Sequence, residues 1–483
     1  MAGSDILDLD ATGQIALLAS GRIGAVELLK ESLARHEQTH AALNAVVAAD
    51  LPRALERARA IDDLRVRGEA VGPLAGLPMT VKDSIDVAGM PASSGLAELR
   101  RRQATDATVV AHARRAGAVI WGKSNTPVMA GDWQTFNGLY GVTNNPWDLA
   151  RTCGGSSGGG AVAVATGVTA LEIGSDIGGS LRVPASFCGV FAHKPTWGMV
   201  TQRGHVPPSP GSWVERDLNV IGPLARSARD LRLLLSVLES GPLTARAPPA
   251  DLKAVRIGLW LDAPDYPLDP QSRTVMEALA RALGEAGASV ELVASPVDAA
   301  ALISAYVTLL GAVIGEDLPD AQMRQFELMR GAAGLLQATG GGPFATARLV
   351  RAYTATHREW MAADAVRMRL RHQMVEVFAR FDAVMTPATP LPAFPHDRRP
   401  MTSRKLKLSD GSSAPYLAML CWSALATACR LPATVVPAGL TSGGLPVGAQ
   451  LIGPPGGDSR LLAIAQAIDE NMRGFIAPPD GAS

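Results

Sequence analysis

A run of glycines and serines in the middle of the chain leads directly into apolar sequence. Residues 154–160 read Gly-Gly-Ser-Ser-Gly-Gly-Gly, and residues 161–165 alternate alanine and valine. A flexible linker has a similar glycine-serine composition, but it would not lead straight into an apolar run. Nor would it be followed closely by a second Gly-Gly-Ser, at residues 178–180. We therefore expect residues 161–165 to form a helix packed inside the protein.

Elsewhere the sequence alternates between strand and helix patterns. Residues 17–36 have the spacing of an amphipathic helix, and residues 118–122 and 433–437 read as buried strands. Such alternation predicts an α/β fold. The length of 483 residues allows one to three domains. A mostly helical region at about 298–375 could be an inserted cap or a substrate-facing layer.

The charge balance and the cysteines bear on partners and location. Lys plus Arg and Asp plus Glu each number 45, whereas nucleic-acid binders normally carry a basic excess, so no nucleic-acid partner is expected. Residues 299–315 and 411–429 lack charge, but the first is short for a membrane span and the second contains Pro415, so no membrane partner is expected. The N-terminus does not read as a signal peptide. The four cysteines show neither a disulfide framework nor zinc spacing, which predicts a cytoplasmic protein.

Three short segments together suit acyl transfer. Lys82 ends an otherwise apolar strand, Ser156 lies in the first glycine-serine run, and Ser180 ends the second. A serine hydroxyl is a poor nucleophile and needs an adjacent base. Burial lowers the pKa of a lysine and makes neutral amine available. Successive glycines let backbone N–H groups reach a developing oxyanion, where each donor contributes about 3 kcal/mol, and a helix that starts after Ser156 adds its positive dipole end.

These segments resemble the hallmark of the amidase signature family, a Gly-Gly-Ser-Ser-Gly-Gly segment followed by Asp-x-Gly-Gly-Ser. The likeness covers roughly residues 5–470. It includes the following shorter matches: Val81-Lys82-Asp83, Gly122-Lys123-Ser124-Asn125-Thr126, Asn144-Asn145-Pro146-Trp147-Asp148, Lys194-Pro195-Thr196 and Gly444-Leu445-Pro446-Val447-Gly448. The resemblance implies a single α/β domain over residues 1–483, with a twisted mixed central β-sheet covered by helices. It implies no cofactor and no metal.

The resemblance also implies roles for matching positions. Ser180 is similar to the acylated nucleophile, Ser156 to the relay serine that follows a cis peptide bond, and Lys82 to the general base. The oxyanion hole would be formed by the backbone N–H groups of Ile177, Gly178, Gly179 and Ser180. Supporting roles are implied for Ser157, Asp176 and Arg182, although an exposed salt bridge would explain the charged pair as well.

Selectivity must come from the walls of the substrate pocket. An apolar, aromatic-tolerant pocket is expected because several large side chains lie near the catalytic loops in sequence. The candidates are Met129, Trp133, Phe136, Tyr140, Trp197, Trp213 and, for a substrate carboxylate, Arg203. The predicted reaction is hydrolysis of the C–N bond of small aryl or alkyl amides, and ester and carbamate (urethane) substrates fit the same chemistry. The sequence does not indicate an oligomeric state.

Two motifs support other interpretations. Residues 154–158 satisfy Gly-x-Ser-x-Gly, the nucleophile elbow of α/β-hydrolases, but residues 144–152 do not make the hydrophobic strand that must precede an elbow. Residues 36–40 match His-Glu-x-x-His, a zinc-protease pattern. Yet His36 also continues the apolar stripe of its helix, and no third zinc ligand is evident.

A further interpretation is a component of a glutamyl-tRNA amidotransferase, active only with partner chains. The A subunit of that enzyme shares the fold and triad of the amidase signature family. Residues 132–136, Asp-Trp-Gln-Thr-Phe, depart from the acidic-Phe-Gly pattern associated with that component, and the neutral charge gives no sign of an RNA face. The interpretation that we prefer on sequence alone is an amidase that acts on a small molecule.

Overall fold

The centre of the molecule is one large β-sheet. The structure is a computed structural model that describes residues 6–241, 247–338, 340, 342–472 and 474–479. The strands are β1 (Val46–Ala49), β2 (Pro78–Lys82), β3 (Val119–Ser124), β4 (Phe136–Asn137), β5 (Gly141–Val142), β6 (Asn144–Asn145), β7 (Asp148–Thr152), β8 (Leu171–Asp176), β9 (Phe191–Lys194), β10 (Val220–Ala225), β11 (Arg256–Leu259), β12 (Ser289–Leu292), β13 (Ala383–Pro387), β14 (Lys405–Lys407), β15 (Ser413–Pro415), β16 (Ala433–Leu440) and β17 (Pro446–Ile452).

Eleven of these strands form the central sheet, in the order β1-β3-β2-β8-β10-β9-β16-β17-β13-β11-β12. Strand β2 runs parallel to β3 and β8, and β11 runs parallel to β12 and β13. The other neighbouring pairs in the sheet are antiparallel. The predicted α/β fold with a mixed sheet is therefore confirmed.

Helices cover the sheet. They are α1 (Ala11–Ala19), α2 (Ala25–Leu43), α3 (Leu51–Val66), α4 (Thr108–Arg115), α5 (Gly158–Ala165), α6 (Arg182–Cys188), α7 (Ala228–Leu238), α8 (Pro270–Glu285), α9 (Ala299–Gly315), α10 (Asp320–Ala338), α11 (Thr346–Tyr353), α12 (His357–Arg380), α13 (Cys421–Ala428) and α14 (Asp458–Asn471). Every residue of α5 is buried, which confirms the helix predicted after the glycine-serine run. Within the described ranges, no helix combines the length and apolarity needed to cross a bilayer.

The helix predicted over residues 17–36 is wrong as a continuous element. Helix α1 ends at Ala19 and α2 begins at Ala25. Gly21 has a φ of +69°, a left-handed conformation that glycine adopts readily and that does not continue a right-handed helix. The carboxylate of Asp62 then accepts hydrogen bonds from the N–H groups of Ala25 and Val26, the first residues of α2.

The region predicted to be helical, residues 298–375, contains α9, α10, α11 and most of α12. Helix α9 packs against α11, α12 and α13, and α10 packs against α11. Helix α12 begins with a capping box: the N–H of Glu359 donates to the Thr356 hydroxyl, and the N–H of Thr356 donates to the Glu359 carboxylate. The buried aromatic side chains Trp260, Tyr306 and Trp422 belong to the core that α9 and α13 share.

Candidate active site

The candidate site lies where two adjacent parallel strands end. Lys82 is the last residue of β2 and Asp176 is the last residue of β8. Because β2 and β8 are parallel neighbours, their carboxyl ends meet at the same edge of the sheet. The loops that hold Ser156 and Ser180 lie immediately before α5 and α6. The topology therefore brings together three segments that lie far apart in the sequence.

Lys82 is completely buried and has two hydroxyl neighbours. Its Nζ lies 2.7 Å from Ser156 Oγ and 3.0 Å from Ser175 Oγ. Removal from water lowers the pKa of Lys82 to about 7, although the carboxylates of Asp176 and Glu172 act in the opposite direction. A large fraction of the side chain is therefore neutral amine at neutral pH.

The hydrogen bonds of His205 fix the direction of the contact between Ser175 and Lys82. His205 Nδ1 lies 2.7 Å from the Pro207 carbonyl, which can only accept, so Nδ1 carries the proton. Burial, and then the nearby Lys82, lower the pKa of His205 to about 3, which keeps the ring neutral. Its Nε2 therefore accepts, from Ser175 Oγ at 2.8 Å and at the longer distance of 3.2 Å from Ser84 Oγ. Ser175 in turn accepts from Lys82, and this leaves the lone pair of the neutral amine available to the Ser156 hydroxyl.

The loop around Ser156 is held on both sides. The Gly155–Ser156 peptide bond is cis. The Thr126 hydroxyl donates to the Ser156 carbonyl at 2.8 Å. Ser157 donates its N–H to the Ser180 carbonyl at 3.1 Å and its hydroxyl to the Ser175 carbonyl at 3.2 Å. The predicted supporting residue Ser157 thus connects the two serine loops.

Ser180 lies at the floor of a cavity that also reaches Ser156. The Ser180 side chain is 6 % exposed. Among the described residues, the Ser180 hydroxyl has no hydrogen-bond partner. The predicted relay requires a hydrogen bond from Ser180 Oγ to Ser156 Oγ, and the structure does not contain it. The structure thus joins Lys82 to Ser156 directly, and it brings Ser180 to the same cavity.

Asp176 and Arg182 form a fully buried ion pair, so the alternative of an exposed salt bridge is wrong. Arg182 donates to both carboxylate oxygens, at 2.7 and 3.0 Å. Burial alone would raise the pKa of Asp176, but the charge and hydrogen bonds of Arg182 hold it at about 2. The remaining guanidinium donors bind the Ser423 carbonyl, the Gln450 side chain and the Thr427 hydroxyl.

The predicted set of oxyanion donors needs one correction. The N–H of Gly179 donates to Asp176 at 2.9 Å, so it is already engaged. The N–H groups of Gly178 and Ser180 have no hydrogen-bond partner among the residues that the structure describes. Ile177, Gly178 and Ser180 therefore remain as candidate donors.

The cavity above Ser180 has a volume of about 600 Å³ and mostly apolar walls. Two of the seven predicted wall residues, Met129 and Trp133, line it. Helices α9 and α11, from the region predicted to be a cap or a substrate-facing layer, contribute a large part of the wall. Their side chains in the wall include Val307, Leu310, Val313, Ile314, Leu349 and Tyr353.

The other five predicted wall residues lie outside this cavity wall. Phe136 lies under the Arg404 guanidinium, and the Trp197 ring lies under that of Arg430. Tyr140 belongs to the turn closed by Asn137. The last two of the five contact each other: the Arg203 guanidinium lies 4.5 Å from the centroid of the Trp213 ring, and Trp213 is 75 % exposed. Proximity to the serine loops in sequence is a poor guide here, because the side chains of Phe136, Trp197, Arg203 and Trp213 each have a partner outside the cavity wall.

The sequence interpretation missed Ser175 and His205, which both line the cavity. Ser175 directly precedes Asp176 at the end of β8, and this position beside a predicted site residue could have drawn attention to it. His205 lies well beyond this strand in the chain, and nothing in its local sequence indicates the contact with Ser175.

The nucleophile-elbow and zinc interpretations lose support. Residues 148–152 do form a strand, β7, but it pairs with the short β6 and, at one isolated bridge, with Pro395, and it is mostly accessible, unlike the buried strand that an elbow requires. The His36 ring packs against that of Trp121, with ring centroids 5.4 Å apart. In the described part of the chain, no group of three His, Cys, Asp or Glu side chains is arranged to hold a metal ion.

Comparison with known proteins agrees with this geometry. The family model described as Amidase matches residues 27–462. Over 96 % of both chains, the sequence is 33 % identical to the A subunit of glutamyl-tRNA(Gln) amidotransferase from Symbiobacterium thermophilum. A solved amidase is 29 % identical, with a TM-score of 0.75, and the match covers 96 % of this chain and all of that one. The 6-aminohexanoate cyclic dimer hydrolase, solved with its substrate, is 27 % identical, with a TM-score of 0.76 over 97 % of each chain.

The chain belongs to the amidase family and has the fold of the amidase signature enzymes. It is a hydrolase of this family that acts on carbon–nitrogen bonds. The resemblance inferred from the serine loops is therefore confirmed.

The exclusion of a nucleic-acid partner is overturned by the curated relatives. These relatives are named as A subunits of glutamyl-tRNA(Gln) amidotransferase, an enzyme whose name includes a tRNA. They are 33 % identical to this chain. The balance of 45 basic and 45 acidic residues is a sum over the whole chain. Such a sum does not report how charge is distributed over one face, nor what a partner chain contributes.

The buried ion pair gives a stability prediction. Substitution Arg182→Gln leaves the Asp176 carboxylate buried without its counter-ion, so we expect the free energy of unfolding to fall by about 3–5 kcal/mol. Arg256→Gln, which removes a half-exposed partner of Asp382, should change it by less than about 1 kcal/mol. Urea unfolding followed by circular dichroism measures both. Equal, small losses in the two variants would contradict the structural role assigned to Arg182.

Proposed function

We propose that the chain hydrolyses amides with an apolar acyl group through an acyl-enzyme on Ser180. The observation that carries this proposal is the hydrogen bond of 2.7 Å between the buried Lys82 amine and Ser156, at the floor of an apolar cavity that Ser180 lines. A buried amine with a pKa of about 7 is a suitable base near neutral pH.

In the proposed reaction, Ser180 Oγ forms a bond to the substrate carbonyl carbon. The Ser180 proton passes to Ser156, and the Ser156 proton passes to neutral Lys82. The carbonyl π electrons move onto the oxygen, which the candidate backbone donors stabilise. When the tetrahedral intermediate collapses, the C–N bond breaks and the leaving nitrogen takes a proton back through Ser156. Water then attacks the acyl-enzyme by the same relay and releases the acid.

The charges in the cavity wall support an uncharged, apolar substrate. Asp132 accepts a hydrogen bond from Arg404 at 2.6 Å, and Arg216 donates to Asp317 at 2.5 and 2.7 Å. Both cations near the wall are therefore neutralised within the protein, and the charged side chain that remains in the lining is the exposed carboxylate of Glu98. No cation is left in the described lining to hold a substrate carboxylate. We therefore favour aryl or alkyl amides, and we include esters and carbamates because the same acyl centre would react.

The curated relatives favour a second candidate. A chain that is 33 % identical to A subunits of glutamyl-tRNA(Gln) amidotransferase over nearly its full length could serve as such a component. The same serine chemistry would then release ammonia from a glutamine-like amide, and activity would depend on partner chains. The paired cations in the wall make the first candidate the better match to the geometry.

A substrate panel separates the two candidates. One aryl acyl group is presented to the isolated chain as an anilide, a primary amide, a nitrophenyl ester and an N-aryl carbamate, with glutamine in parallel. We expect turnover of the aryl substrates and none of glutamine, because the wall offers apolar contacts and no free cation. Turnover of glutamine alone, or activity only after addition of partner chains, would favour the amidotransferase component.

The assignment of the two serines predicts the site of covalent labelling. An aryl fluorophosphonate should add one label per chain, and peptide mass spectrometry should locate it on Ser180. Ser180→Ala should abolish labelling, whereas Ser156→Ala should slow it. A label on Ser156 would reverse the roles of the two residues and revive the elbow interpretation.

The proposed role of Lys82 predicts a pH dependence. Neutral amine is the active form and predominates above the pKa of about 7, so kcat/KM should rise with pH and reach a plateau above about pH 8. Lys82→Ala should lower kcat by about 10²–10⁴-fold without loss of the fold.

A matched variant tests that assignment. Burial raises the pKa of Glu172 to about 7, and its charged form raises the pKa of Lys82, so Glu172→Gln should move the rising limb of the profile to lower pH. A limb that moves to higher pH, or near-normal turnover of Lys82→Ala, would exclude Lys82 as the base.

A further inference from the structure

Two aromatic side chains hold the carbonyl groups of the loop before Ser180. The Tyr306 hydroxyl donates to the Ile177 carbonyl at 2.8 Å, and Trp133 Nε1 donates to the Gly178 carbonyl at 2.8 Å. Tyr306 is completely buried and belongs to α9. Both anchors come from parts of the chain that are remote from the loop in sequence.

Because the peptide unit is planar and trans, a hydrogen bond that holds its carbonyl also fixes the direction of its N–H group. The carbonyl of one residue and the N–H of the next point in opposite directions. Tyr306, by holding the Ile177 carbonyl, therefore fixes the N–H of Gly178 on the opposite side of the peptide. That N–H has no partner among the described residues, and Gly178 lines the same cavity as Ser180.

The same rule accounts for the next two peptides. Trp133 holds the Gly178 carbonyl, and the N–H of Gly179 points to Asp176, where it is bonded. The Val183 N–H donates to the Gly179 carbonyl at 2.7 Å, which orients the N–H of Ser180. Of these three fixed N–H groups, only those of Gly178 and Ser180 remain for a substrate oxygen.

We propose that Tyr306 is a positioning residue for the oxyanion hole, acting through the N–H of Gly178. The inference rests on the proposed acyl transfer at Ser180. Helix α9 would then have two functions. Its Tyr306 positions the loop before Ser180, and its Val307 and Leu310 line the cavity that Ser180 also lines. The close approach of Gly311 to Ala352, where a Cβ would meet backbone and side chain at 2.4–2.9 Å, holds the helix in this place.

The test removes one hydroxyl group. In Tyr306→Phe, the Ile177 carbonyl loses its donor and the Gly178 peptide is free to rotate. Loss of a direct oxyanion donor lowers kcat by about 10²–10³-fold, and for a donor that is only misplaced we expect about 10- to 100-fold, with KM changed less than about two-fold. Incorporation of 4-aminophenylalanine at position 306, which keeps a donor, should restore kcat.

The matched control is Tyr266→Phe. Tyr266 is also a buried tyrosine, but its hydroxyl has no hydrogen-bond partner among the described residues, and it packs away from the cavity against Trp260 and Trp422. Its kcat and KM should match those of the wild type. Rates are expressed per active site by titration with the fluorophosphonate, so that a smaller folded fraction in either variant does not affect the comparison.

An inhibitor pair supplies a readout that a purely structural role would not move. An aryl trifluoromethyl ketone forms a tetrahedral adduct with Ser180 and places an oxyanion in the hole, whereas the corresponding alcohol does not. In Tyr306→Phe the affinity for the ketone should fall in proportion to kcat, and the affinity for the alcohol should stay unchanged. Wild-type kcat, or equal losses of affinity for both compounds, would overturn the role of Tyr306. A wild-type enzyme that forms no adduct on Ser180 would instead overturn the proposed function.

Discussion

Asp176 is the last residue of β8, and its carboxylate is removed from water together with the guanidinium of Arg182. A buried carboxylate is tolerated only when its oxygens are fully paired. Here they accept from the side chain of Arg182 and from the N–H groups of Gly179 and Leu181. The single carboxylate therefore closes the turn between β8 and α6 and determines which N–H groups of that turn stay available. Arg182 extends the network to α13 and β17 through Ser423 and Gln450.

The parts of the site that could be predicted from the sequence are those in which local pattern and chemistry coincide. Lys82 ends an apolar strand, so its burial and lowered pKa follow from the residues beside it. Ser156 precedes an apolar run that predicts an internal helix, and the structure has a buried helix there. The same kind of reasoning fails for residues 17–36, where amphipathic spacing continues across a break. Spacing records which side chains are buried, but it does not record that Gly21 has a left-handed conformation.

The walls of the cavity could not be predicted in the same way, because they depend on contacts between distant segments. Helix α9 lacks charge along its whole length, so its sequence does not show which side faces the cavity and which faces the core. Tyr306 meets Ile177 across 129 positions. The large apolar ring of Trp213 makes it a good candidate for a pocket wall. In the structure Trp213 is exposed, and one face of its ring is covered by Arg203. A large aromatic side chain has many possible partners, and only the tertiary fold selects among them.

Selectivity and reactivity in this site have one physical origin. Lys82 is completely buried, and desolvation is the largest cause of its lowered pKa. In the proposed function, the mostly apolar walls of the neighbouring cavity would disfavour charged substrates for the same reason, the cost of removing a charge from water. The buried carboxylates of Asp176 and Glu172 favour the ammonium form of Lys82, but their effect is smaller than that of desolvation. Asp132 and Asp317, the two carboxylates of the cavity wall that are paired, are held by Arg404 and Arg216. In the proposed function, an apolar acyl group would complete the enclosure when it binds, so the substrate that fits the cavity best would also be the one that best keeps Lys82 neutral.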